Sequence, residues 1–200
     1  MLVTIEGIDG AGKSTVVEAM EERFPDFRYT REPTDTWTGE AVERSVASEE
    51  AVPLRDLFLF TADHVNHLRG TVEPAVESGE VVVCDRYIDS RVAYQAAATV
   101  DVLDMDTEGR IDWIAGLHDG WSRFPDLTLL LDLDPEVAID RMADAGRGDV
   151  KFERLKFLRE VRENYLSLAR NNDRFRIVDA DMEEGKVIEE CADILDETVL

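Results

Sequence analysis

Residues Gly7-Ile8-Asp9-Gly10-Ala11-Gly12-Lys13-Ser14 follow an apolar stretch at 2–6 and open a helix-patterned segment at 13–24. The spacing is that of G-x-x-x-x-G-K-[ST], a phosphate-binding loop, in the strand-then-helix context the motif requires. No other feature restricts the fold as much. A strand must deliver the loop, a helix must begin at Lys13, and the glycines must let successive N–H groups turn inward around a β-phosphate. Lys13 then adds a cation toward the β/γ oxygens, and the Ser14 hydroxyl is placed to ligate Mg²⁺. Such a loop implies nucleotide binding but leaves the reaction open, because motors, GTPases and kinases share it.

Apolar runs of strand length recur at 2–6, 27–31, 81–85, 127–132 and 175–179, and helix-patterned segments at 13–24, 53–78, 90–99, 107–121, 135–145, 152–171 and 183–198 separate or follow them. Strands alternating with helices imply crossover connections and a five-stranded parallel sheet between helical layers. No linker, repeat or low-complexity tract divides the chain, so the expected organisation is one domain over 1–200.

Charge bounds the partners. Against 22 Lys+Arg stand 45 Asp+Glu, a net charge of −23, which excludes a surface that grips polyanions such as nucleic acid. Phosphate must be handled in a local basic pocket. Lysines are few among the basic residues, and with so many carboxylates this suggests adaptation to a high-salt cytoplasm, where screening suppresses self-repulsion. No apolar run reaches a membrane span, and the first residues lead straight into a strand pattern, so neither secretion nor insertion is expected. Cys84 and Cys191 read as buried small residues in a reducing compartment.

The second substrate is argued from other strand ends. Asp85-Arg86-Tyr87 ends the 81–85 strand, and Arg31 ends another at the same sheet edge, where open α/β sheets bind ligands. Two guanidiniums in an acidic protein suit a second phosphate group better than a second metal. Residues 144–151, short, glycine-bearing and charged, read as a mobile flap.

The motifs taken together resemble the thymidylate kinase family nearly end to end. Gly-Ile-Asp-Gly-Ala-Gly-Lys-Ser-Thr at 7–15, Thr-Arg-Glu-Pro at 30–33, Asp-Arg-Tyr at 85–87 with Ser90 and Ala93-Tyr94-Gln95, Pro125-Asp126-Leu127, Leu131-Asp132 and Val178-Asp179-Ala180 stand in that family's order. The resemblance implies a P-loop nucleoside-monophosphate-kinase fold with a short lid, usually a homodimer, that converts ATP and dTMP to ADP and dTDP with Mg²⁺. It assigns Gly7, Asp9, Gly10, Ala11, Gly12, Lys13, Ser14 and Thr15 to the nucleotide, with Arg141 and Ala180 at the adenine. It gives Asp9 to the acceptor sugar, and Arg31 and Arg86 to the dTMP phosphate. Asp85 falls near the metal with Ser14, Phe60 stacks on thymine, Tyr94 closes the sugar pocket, and Gln95 reaches toward the base.

The chain departs from the family pattern at two positions. Some relatives carry a basic residue in the loop where this chain has Gly10, so the cation for the transferred phosphoryl group is expected from the flap, at Arg147 or, failing that, Lys151. Many relatives have arginine where this chain has His64, which is therefore expected to donate to a thymine carbonyl. Two rival readings are a kinase of another monophosphate such as dUMP, and a nucleotide-binding regulatory protein without phosphoryl transfer.

Overall fold

The computed structural model describes residues 1–48, 50, 52–144, 151–170 and 172–199. β1 (Leu2–Gly7) is buried along its whole length because it is the middle strand of a five-stranded sheet, ordered β2-β3-β1-β4-β5. The others are β2 (Arg28–Arg31), β3 (Val82–Asp85), β4 (Leu127–Asp132) and β5 (Phe175–Asp179), each parallel to its neighbours. Strands covered on both faces lose hydrophobic alternation, hence Leu-Thr-Leu-Leu-Leu in β4.

Two cores lie on opposite faces. Val3, Ile5 and Val83 pack with α1 (Lys13–Arg23), α7 (Pro135–Asp144), α8 (Lys151–Arg170) and α9 (Glu184–Val199), whereas Leu2, Val82 and Cys84 pack with α3 (Pro53–His67), α5 (Ile88–Ala98) and α6 (Thr107–Gly116). α5 belongs to both, giving Ala93 and Ala97 to the first and Val92 and Ala96 to the second. It is enclosed, so its buried Ser90, Arg91 and Gln95 need polar partners.

The register aligns the strand ends that carry chemistry. Ile5 pairs with Asp85, Arg31 with Asp85, and Gly7 with Leu131. Asp85 therefore stands beside the loop after β1.

Two elements differ from the sequence expectation. The helix expected over 53–78 is broken by a π-helical turn, Leu68–Val72, before a short α4 (Glu73–Glu77). Pro74 has no N–H to donate to the carbonyl four residues back, so the ladder widens just ahead of it. A helix α2 (Trp37–Val46) was not expected at all. Its buried residues are Thr38, Gly39, Val42 and Ser45, and with one apolar side chain among them no hydrophobic period is visible. Contact through small residues allows a close approach: a Cβ on Gly39 would lie 1.7 Å from the Thr34 carbonyl oxygen. The buried Asp63 carboxylate of α3 holds this corner, accepting from Thr34 N–H at 2.8 Å, Thr34 Oγ1 at 2.6 Å and Thr38 Oγ1 at 2.8 Å. That fixes the loop after β2, and with it Glu32.

Candidate active site

The donor side is built by main chain. Gly10 has φ +84°, and a Cβ there would meet the Ala138 carbonyl oxygen of α7 at 2.8 Å. In this loop a side chain at the position would be strained twice over, by the backbone angle and by the carbonyl. Lys13 opens α1, is buried, and donates from Nζ to the Ile8 carbonyl at 2.8 Å. Burial, reinforced by nearby Arg86, lowers its pKa to about 7. Ser14 Oγ donates to Asp85 Oδ2 at 3.3 Å, and Asp85 Oδ1 is buried without a partner among the described residues. Beside the loop lies a cavity of about 420 Å³ lined by Gly10, Gly12, Thr15, Arg141, Ala180 and Glu184 among others. Arg141 Nη2 donates to the Ala180 carbonyl at 3.1 Å, so these two expected adenine-side residues are brought together.

The acceptor side is built by side chains. A second cavity, about 380 Å³, is lined by Asp9, Phe60, Arg86, Tyr94 and Gln95 of the expected set, together with Glu32 and Arg91. Arg86 sits in the left-handed region at φ +63°, a conformation that costs a bulky residue on the order of 1–3 kcal/mol and persists only where the surroundings enforce it. Its N–H donates to the Ile5 carbonyl at 3.0 Å. Its guanidinium reaches Asp9 Oδ1 at 2.5 Å and the Gly7 carbonyl at 3.2 Å, and lies over the Tyr94 ring 5.0 Å from its centroid. The Tyr94 hydroxyl accepts from the Asp9 N–H at 2.8 Å. Although burial favours the neutral carboxyl, Arg86 and then Lys13 hold Asp9 below the ordinary range.

The structure brings Lys13, Ser14 and Asp85 together on one side, and Asp9, Phe60, Arg86, Tyr94 and Gln95 on the other. Arg31 stands at the correct sheet edge, but its side chain is 62% exposed and paired to Asp35 at 2.7 Å, and it is not among the residues lining the acceptor cavity.

A family model described as thymidylate kinase matches residues 5–191. The chain belongs to the thymidylate kinase family. A protein named probable thymidylate kinase from Halorubrum lacusprofundi is 49% identical over 198 residues, covering 98% of this chain and 98% of the relative. Proteins of the same name from Natronomonas pharaonis and Methanosarcina mazei are each 45% identical, covering 100% and 93% of this chain and 99% and 90% of their own lengths.

Measured against that family pattern, His64 behaves differently from expectation. It is fully buried and both ring nitrogens are engaged within the fold, Nδ1 with Glu32 Oε1 at 2.8 Å and Nε2 with Ser122 Oγ at 2.7 Å. It does not line the cavity. Nothing in its ring is left to donate to a base, so the expected base contact needs correction. The flap with Arg147 lies outside the described residues. Lys151 opens α8, and nothing described bears on its side chain.

Sequence reasoning missed two residues. Arg154, in the first turn of α8, brings Nη2 to 3.9 Å from Asp9 Oδ2; its place directly after the flap was the available signal. Glu6 is completely buried, accepting from the Tyr87 N–H at 2.9 Å and the Tyr165 hydroxyl at 3.1 Å; burial, then Asp89, raises its pKa to about 7. It sits in an apolar strand and gave no sign.

Proposed function

We propose that the protein transfers the γ-phosphoryl group of ATP to dTMP, giving ADP and dTDP. The observation that carries this reading is a single peptide step: Asp9 lines the side-chain cavity and Gly10, the next residue, lines the main-chain cavity. Two pockets of nucleotide size separated by one loop residue suit an in-line transfer between two bound phosphates. A phosphate oxygen of dTMP attacks the γ-phosphorus as the bond to the bridging oxygen breaks and leaves with ADP. The attacking oxygen is already ionised, so no general base is needed.

Lys13 leaves the Ile8 carbonyl to meet the β/γ oxygens, and Arg86 turns part of its fork from Asp9 to the acceptor phosphate. Arg31 joins by leaving Asp35. Ser14 and Asp85 fit a magnesium ion: a hydroxyl and a carboxylate with one unpartnered buried oxygen are hard ligands, and Mg²⁺ takes its remaining ligands from water and phosphates. No group of three or more His, Cys, Asp or Glu able to hold a metal occurs among the described residues, which agrees with a site completed by the nucleotide. When bound, such an ion would neutralise charge on the phosphates of the donor nucleotide. Arg147 supplies the lid cation, and Arg154, in the first turn of α8, adds a second guanidinium 3.9 Å from Asp9.

The reading extends to assembly and compartment. Phe58 and Val65 on α3 and Trp37 and Val46 on α2 are exposed apolar residues that a second copy would cover, in keeping with a homodimer. Two free buried cysteines are in keeping with a cytoplasmic enzyme, and no helix among the described residues is long and apolar enough to cross a membrane.

The test is ADP release over dTMP, dUMP, UMP and AMP at several KCl concentrations. The dTMP rate should exceed the dUMP rate by about 10-fold, the discrimination available to one methyl group, and should rise with salt as carboxylate repulsion is screened. A faster dUMP rate favours another pyrimidine monophosphate kinase. No ADP with any monophosphate favours the regulatory reading.

A further inference from the structure

All three histidines of the chain, His64, His67 and His118, meet in one buried cluster with Glu32 and Arg91. The hydrogen bonds select a tautomer for each ring. His118 Nδ1 donates to the Ile114 carbonyl at 2.9 Å, so Nε2 accepts from Arg91 Nη1 at 2.9 Å. His64 Nδ1 and His67 Nδ1 both donate to Glu32 Oε1 at 2.8 Å, so their Nε2 atoms accept from Ser122 Oγ and Thr30 Oγ1, each at 2.7 Å. The other Glu32 oxygen takes Arg91 Nη2. Burial, and next Arg91, hold His118 down at about 3 and His64 below its ordinary value, so these two rings stay neutral. The cluster is thus one carboxylate and one guanidinium, spaced by imidazoles whose hydrogen bonding is complete.

Its product is a fixed Arg91. Glu32 and His118 hold the two terminal nitrogens, while Nε finds no acceptor among the described residues. Four residues on along α5, Gln95 Oε1 is likewise buried and unpartnered. Both side chains belong to residues that line the acceptor cavity and are only 4% and 6% exposed. Native interiors seldom leave such groups unsatisfied, and two together on one helix face beside a cavity point to a ligand.

We infer that Arg91 joins Gln95, which the family resemblance already places toward the base, in reading the edge of the acceptor's base, and that Glu32, His64, His67 and His118 are positioning residues that hold Arg91 for that task. Arginine has donors only, so the ring atom it meets must be an acceptor. A carbonyl beside a ring N–H, the imide edge of thymine and uracil, satisfies both groups: Arg91 donates to the carbonyl and Gln95 Oε1 accepts from the N–H. Cytosine presents an amino group and a bare ring nitrogen in those places and would set donor against donor at Arg91 and acceptor against acceptor at Gln95 Oε1. The pair therefore selects imide-edged pyrimidines, leaving the 5-methyl group to Phe60 and its apolar neighbours. The inference rests on the proposed dTMP reading and moves the donor to the base carbonyl from His64 of α3 to Arg91 of α5.

Steady-state kinetics and calorimetry on dTMP, dUMP and dCMP test it with wild type, Arg91→Gln, Arg91→Lys and His118→Phe. Arg91→Gln should raise the dTMP KM about 10- to 100-fold, the range for a lost charged hydrogen bond. It should leave kcat and the ATP KM within a few-fold, and shrink the preference for dTMP over dCMP at least in proportion. Arg91→Lys should recover part of the affinity, and His118→Phe should show a smaller KM rise of the same kind. A folded Arg91→Gln with unchanged dTMP KM and unchanged dCMP rejection overturns the inference, as does a loss confined to kcat. If Arg91→Gln does not fold, Glu32→Gln/Arg91→Met removes both charges together and is judged by the same criteria. A wild type that binds dTMP while the variants behave as wild type refutes only this inference, whereas a wild type that binds no imide-edged monophosphate refutes the proposed function with it.

Discussion

On the donor side, the cavity is lined by Gly10, Ala11, Gly12 and Thr15 of one contiguous loop, and a side chain at Gly10 is excluded by the Ala138 carbonyl at 2.8 Å. On the acceptor side, the contacts come from the loop after β1 (Asp9), the residue after β2 (Glu32), α3 (Phe60), the residue after β3 (Arg86) and α5 (Arg91, Tyr94, Gln95). A device made of backbone has almost no freedom in sequence. One made of side chains delivered by five elements can exchange one residue for another across the cavity, provided the buried charges still balance. The guanidinium that many relatives carry on the Phe60 helix is replaced here by a neutral His64, while Arg91 of α5 supplies a guanidinium to the same cluster.

The sharpest break in this comparison is expected at Lys13. Lys13→Met should lower kcat by roughly 10³-fold or more, the scale on which a cation at the transferred phosphoryl group acts. The dTMP dissociation constant should stay within a few-fold. Parallel loss of dTMP affinity would show that the two sides are not separate devices.

Next in size is the exchange of charge across the acceptor cavity. His64→Arg alone buries a second guanidinium beside Arg91 and Glu32, and an uncompensated buried charge costs on the order of 3–5 kcal/mol. The Tm should fall by at least about 6 °C at 2–4 °C per kcal/mol for a chain of this size. His64→Arg/Arg91→Ser restores one carboxylate to one guanidinium and should recover more than half of the lost Tm. An unchanged Tm in the single variant would contradict the buried network.

A smaller effect concerns protons. Free Lys13, with a pKa lowered to about 7 by burial, is mostly neutral at pH 8. Phosphate at Nζ favours the charged form, so ATP binding should take up close to one proton at pH 8 and almost none below pH 6, where the amine is already charged. Calorimetry in buffers of different ionisation enthalpy reads this directly, and Lys13→Met should abolish the uptake. Equal uptake at both pH values would place the buried Lys13 pKa elsewhere.

The same contrast explains what could be read before the fold was known. The phosphate-binding loop, the five strands and the Asp85-Arg86 strand end were legible because each is contiguous and obeys a local rule. β4 and β5 fall where their apolar runs place them. α2 was not legible because its buried face is Thr38, Gly39, Val42 and Ser45. The acceptor cluster was hidden by separation in sequence: Arg91 meets Glu32 59 positions away and His118 27 positions away. His118 stands in no motif, and His64 was read from the family pattern at a single column, which says nothing of what lies across the cavity.

The central claim, that a main-chain donor cradle and a side-chain acceptor cluster meet at the Asp9–Gly10 step yet work as separate devices, is tested most directly by titrating ADP and dTMP into wild type, Lys13→Met and Arg91→Gln by calorimetry. The account predicts that Lys13→Met weakens ADP and spares dTMP, while Arg91→Gln weakens dTMP about 10-fold or more and spares ADP. Both variants losing the same nucleotide, or each losing both equally, would contradict it.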